Sequence, residues 1–195
     1  MKLIRNNVFE TNSSSCHTVT ISDKVLPYDT IYPESDGVIY IESEDFGWSF
    51  EDRTNPHDKL SYIFIYLMKY YNIYSYEDRI KISREEYDKL EWSEKSEHLK
   101  TDEELFNEYI KNSKQFKLLK KVVCEHTGAN DLIPKLPCGY IDHQSIYDKD
   151  LVNIFDNEKE LKSFLFNPKS YLLTGNDNSN YEWIIEKDGP KLELF

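Results

Sequence analysis

The sequence predicts an α+β fold: a mixed or antiparallel sheet built from strands near both ends, around a helical middle. Three observations carry that expectation. Alternating segments occupy residues 1–50 and recur in the last third of the chain. Amphipathic segments with capping signals fill about 55–127. Turn residues, rather than a composition-biased linker, separate these regions, which is how a single layered domain is written. All 195 residues are accordingly expected in one domain containing the helical region.

Taken in order, "VTIS" and "VIYIES" (38–43) alternate apolar and polar, with turn signals at Pro27, Pro33 and "SDG" between them. In "HTVTI", His17, Val19 and Ile21 share one strand face, and Cys16, Thr18 and Thr20 share the other. "TNPHDKLSYIFIYLMKYYN" predicts a helix. Asn55 can cap it, Pro56 suits its first position, and Leu60, Ile63, Phe64, Leu67 and Tyr71 form an apolar stripe. "SREEYDKLEW" and "TDEELFNEYI" each carry a capping box, Ser83 with Glu86 and Thr101 with Glu104. The second runs on or bends near Asn112 into "KQFKLLKKVVCEHTG", which ends at Gly128. "DNEKELKSFLF" predicts a short helix capped by Asp156 or Asn157 and stopped before Pro168. "SYLLTG", "YEWIIE" and "KLELF" predict strands, with "KDGP" as a turn before the last.

Composition narrows the function classes. Fifteen Tyr, ten Phe and three Trp argue against disorder. The net charge of −12 opposes direct binding to DNA or RNA, which requires a basic footprint. The one basic cluster, Lys117, Lys120 and Lys121, lies in a predicted helix. An acidic chain suits docking onto a partner with a basic surface. Cys16, Cys124 and Cys138 are odd in number and lack CxxC spacing, which fits a reducing, cytoplasmic location. "MKLIRNNVFE" has no signal-peptide character, and no apolar run is long enough to span a membrane.

Three polar stretches are candidates for a site: "ETNSSSCH" (10–17), "GYIDHQS" (139–145) and "TGNDNSN" (174–180). Each adjoins a predicted strand, the usual way a rigid sheet presents functional loops. If they converge, Asn12, Ser13, Ser14, Ser15, Gln144, Asp177, Asn178 and Asn180 would bind a phosphate, a nucleotide or another polar ligand. A catalytic set would use His17, Asp142, His143 and Ser145, because a nucleophile needs a base in reach and a third group to orient it. Cys16 and His17 cannot pair with each other on a regular strand, since neighbours point to opposite faces. His17 is expected inside, facing "DHQS". The alternative is that these serines and asparagines only cap and turn the backbone. No metal and no cofactor are expected, because the paired ligand spacing of structural zinc is absent. "DFG" at 45–47 matches the kinase magnesium motif, but no glycine-rich loop or HRD sequence accompanies it, so the kinase reading fails. Trp48 and Phe50 are expected to staple the sheet to the Pro56 helix, and the aromatic run "YYNIYSYED" (70–78) to pack in the core.

The stretch "FETNSSSCHT" resembles the "FETNSSSSHS" start of uncharacterised proteins carried by phages and prophages of low-GC Gram-positive bacteria. "FGW" followed by "KLSY", and then "GYIDHQS", match that group in the same order. Cys16 and Thr18 stand where the group has serine. The resemblance implies a cytoplasmic protein encoded by a mobile element, and implies no particular activity. The expected function is therefore an accessory protein acting by binding, either to a host defence protein that it inhibits or to a small polar or nucleotide ligand. A small hydrolase or nucleotide-processing enzyme is the alternative, and a virion structural or assembly protein the second alternative.

Overall fold

Proline at the first helical position has no N–H to leave unpaired, and its fixed φ suits the first turn. Helix α1 accordingly runs Pro56–Tyr70, and the Asn55 side-chain oxygen accepts from the His57 N–H at 2.8 Å. The computed structural model describes residues 4–5, 15–21, 30–46, 51–70, 75–135, 139, 141 and 156–176. Within it the chain is mixed helix and strand. Helices α2 (Tyr76–Arg79) and α3 (Arg84–Lys89) follow, then a 3₁₀ turn at Lys95–His98. After these come α4 (Asp102–Asn112), α5 (Lys114–Thr127) and α6 (Glu158–Phe166). Both expected capping boxes form, Ser83 with Glu86 and Thr101 with Glu104. Asn157 caps α6, and Gly128 ends α5 with φ 76°, the left-handed conformation a side chain resists.

The expected stripe on α1 is too narrow. Every residue from Lys59 to Met68 is buried, so the helix is surrounded rather than laid against one surface. Its Phe64 ring meets Phe106 of α4 at 6.0 Å and Phe116 of α5 at 5.6 Å, both edge-on. On another side Tyr62 meets Phe46 at 5.3 Å with the planes perpendicular. One contiguous apolar cluster gathers α1, α4, α5, α6 and the strand residues Ile39, Ile41, Leu132 and Leu172. No helix among the described residues is long and apolar enough to cross a membrane.

The strands form two sheets where one was expected. The first is antiparallel, in the order β1 (Ile4–Arg5), β2 (Ser15–Ile21), β6 (Ser170–Asn176) and β4 (Glu51–Arg53). It joins an N-terminal strand to one from the last third, as the sequence suggested. The second is a parallel pair, β3 (Val38–Ile41) with β5 (Asp131–Pro134). Strand β5 is short and ends in proline, so nothing local marks it; its partner lies some ninety residues earlier and α1 to α5 form the crossover. Trp48, Phe50, Tyr71 and the segments "YEWIIE" and "KLELF" lie outside the described residues. Of the aromatic run at 70–78, Tyr76 is exposed, so core packing does not extend to it.

Candidate functional site

The pairing of β2 with β6 joins two of the three polar stretches. Its register sets Ser15 opposite Asn176, Cys16 opposite Gly175 and His17 opposite Thr174. Ser15–His17 closes the first stretch, and Thr174–Asn176 opens the third. On its other side β6 pairs with β4, and there Glu51 stands opposite Thr174. Directly opposed residues in antiparallel strands share a face. His17, Thr174 and Glu51 thus take adjacent register positions in one row across three strands.

That row lies on the face of β6 that turns inward. Ser170, Leu172 and Thr174 alternate along the strand and all three are buried. Thr174 is 1% exposed, and its hydroxyl finds no hydrogen-bond partner among the described residues. Leaving a buried hydroxyl unpaired costs about 1–3 kcal/mol, so such groups are rare and call for a cause. The alternation that placed His17 with Val19 and Ile21 matches the register, since these three oppose Thr174, Leu172 and Ser170.

Of the second polar stretch, Gly139 and Ile141 are described, and both lie against the segment that precedes β4. Ile141 bridges to Phe46, and the Lys69 ammonium donates to the Ile141 carbonyl. Gly139 lies against the Glu44 backbone, with no room for a Cβ. The Arg53 guanidinium of β4 sits over the Phe46 ring at 5.0 Å and bonds the Glu44 carboxylate at 2.7 Å. Arg53 itself opposes Leu172, two positions from Thr174. Asp142, His143, Gln144 and Ser145 lie outside the described residues, as do Asn12, Ser13, Ser14, Asp177, Asn178 and Asn180. The expected contact of His17 with "DHQS" lies outside them too.

The order of the row decides part of its chemistry. In a nucleophilic triad the imidazole stands between the nucleophile and the acid. Here Thr174 takes the middle register position between His17 and Glu51, so the row does not follow that order. Two strand spacings of about 4.8 Å separate the outer positions. Among the described residues no three His, Cys, Asp or Glu side chains gather as a metal site.

A second polar group lies on the same buried face. Lys59 of α1 is 0% exposed, and its ammonium donates to the Ser170 hydroxyl at 3.0 Å. Burial pushes the Lys59 pKa down to about 7, and Asp58 only partly opposes that. A lysine–serine pair invites a catalytic reading, in which the serine proton passes to a neutral lysine. The geometry opposes it. The Ser170 hydroxyl is turned to the carbonyls of Phe164 and Asn167 at the end of α6, and Lys59 occupies its lone pair. The pair instead ties α1, the C-terminal end of α6 and the start of β6 together, with the ammonium 5.7 Å from the Phe164 ring.

Thr174, Glu51, Lys59 and Ser170 were not singled out from the sequence. Thr174 and Ser170 carried a signal: in "SYLLTG" they alternate with Leu172 on one face. Lys59 carried none, since Lys59 and Lys69 flank the apolar run of α1 alike. No protein-family model, curated protein or solved structure is significantly similar to the chain.

Proposed function

We propose that the chain is a binding protein that holds a small polar ligand at the end of the antiparallel sheet where the first and third polar stretches meet, beside β4. The observation that carries this reading is the buried hydroxyl of Thr174, which has no partner among the described residues, with His17 and Glu51 in register on either side. A ligand that hydrogen-bonds this hydroxyl would relieve the cost of leaving it unpaired. Charge narrows the ligand. Glu51 and Asp52 hold register positions on the converging strands, against His17 and Arg53, in a chain of net charge −12. A neutral or cationic polar molecule, such as a nucleoside or a sugar, suits that field better than a phosphate. The N-terminal motif's resemblance to phage and prophage proteins supports an accessory role for a mobile element in the cytoplasm of a bacterial host.

The test is calorimetric titration of the full chain with adenosine, adenosine triphosphate and glucose, repeated on Thr174→Val. The proposal expects a neutral probe to bind more tightly than the triphosphate, and the variant to lose that binding while remaining folded. Preference for the triphosphate, or equal binding by Thr174→Val, would sink it.

A further inference from the structure

The segment from Tyr76 to Lys100 folds as a small lobe of three short helical turns. Its ends are clipped together by a bridge between Ile80 and Leu99 and by the Lys100 N–H on the Arg79 carbonyl at 2.6 Å. One residue of its helices, Tyr87, is buried. Its hydroxyl lies 2.8 Å from that of Tyr76. Against this frame Trp92, in the turn after α3, is 85% exposed. Tryptophan is among the residues most enriched at the energetic centres of protein interfaces.

The charges around it are sorted. All six basic residues of the lobe are engaged within the chain. Arg79 pairs with Asp102, Lys81 with Glu104, Lys89 with Glu85 and Lys100 with Glu108. Arg84 pairs with Glu77 and Asp88, and the Lys95 ammonium sits 5.3 Å from the Tyr87 ring. Glu91, Glu94 and Glu97, which flank Trp92, are exposed, and none has an ion pair among the described residues. The turn thus presents an indole flanked in sequence by carboxylates without ion pairs among the described residues, of which Glu94 accepts from the Glu91 N–H at 3.2 Å.

We propose that this turn is a docking surface for a second protein, one that offers an apolar pocket rimmed by lysine and arginine. The field excludes the other occupants. Nucleic acid and anionic membranes would be repelled. A second copy meeting it symmetrically would set glutamate against glutamate. The basic cluster on α5 is partly spent, because Lys120 pairs with Asp131 and Lys121 with Glu158. The surface is separate from the Thr174 row, and the two readings stand or fall independently.

A displayed random peptide library selected on the full chain tests this. Enriched peptides should combine basic with aromatic or aliphatic residues. They should bind Trp92→Ala at least tenfold more weakly, and Tyr32→Ala, a control at another exposed aromatic, unchanged. Glu91→Gln, Glu94→Gln and Glu97→Gln combined should flatten the salt dependence of binding. Peptides without basic residues, or peptides that bind Trp92→Ala as well as wild type, would overturn the proposal. So would sedimentation showing a dimer of this chain that Trp92→Ala dissolves, since the occupant would then be a second copy.

Discussion

Lys59 makes stability depend on pH in a direction that can be worked out beforehand. Its ammonium is buried against Ser170 and its pKa falls from 10.5 to about 7. The unfolded chain therefore binds this proton more tightly than the folded one, and stability rises with pH between about 7 and 10.5. A shift of this size destabilises the folded state by about 5 kcal/mol below pH 7, and by nothing well above pH 10.5. At pH 7 the penalty is about 4 kcal/mol and at pH 9 about 2 kcal/mol, so wild type gains about 2 kcal/mol over that interval from this group. Lys59→Met removes the titration while keeping most of the side-chain volume. Replacing a buried charge by an apolar residue is often neutral or stabilising, so the variant is expected to fold. Urea unfolding of both proteins from pH 7 to 9 isolates the group, because every other titration is common to the two. Wild type should gain about 2 kcal/mol on the variant across that range. Parallel stability curves would show that Lys59 does not lose its charge on folding, and would refute the reasoning.

Two further outcomes follow from single groups. Thr174→Val removes a buried hydroxyl that has no partner among the described residues, so without ligand the variant should exceed wild type by about 1 kcal/mol or more in urea unfolding. A loss instead would mean that the fold itself uses the hydroxyl. Thr101→Ala removes the oxygen that accepts from the Glu104 N–H at 3.1 Å, and should cost about 1 kcal/mol in thermal or urea unfolding. An unchanged midpoint would show that the α4 cap contributes nothing.

What the sequence revealed and what it hid divide along physical lines. Helix ends were legible because their causes are local: Asn55, Ser83, Thr101 and Asn157 satisfy orphan N–H groups within three residues of themselves, and Gly128 takes the one backbone conformation that suits it. Strand β5 was illegible because four residues ending in proline carry no period of their own, and their partner β3 lies on the far side of five helices. The stripe on α1 was drawn too narrowly because a 3.6-residue period marks one face of a helix, whereas Tyr62, Tyr66 and Lys59, which lie off that stripe, are all buried. At the site, alternation alone put His17 on the face with Val19 and Ile21. That Thr174 and Glu51 stand in its row depends on which strands pair and in what register, and neither is written near His17.

The convergence of the first and third polar stretches is the claim on which the proposed site rests, and one engineered bond tests it. Cys16 opposes Gly175 in the β2–β6 register, and opposed strand positions lie within reach of a disulfide. With Cys124 and Cys138 replaced by serine, Gly175→Cys should oxidise to a single intramolecular disulfide with Cys16, seen as a protected mass two hydrogens lighter. Two free thiols persisting under the same oxidation would mean that the stretches do not meet, and the site at Thr174 would fall with them.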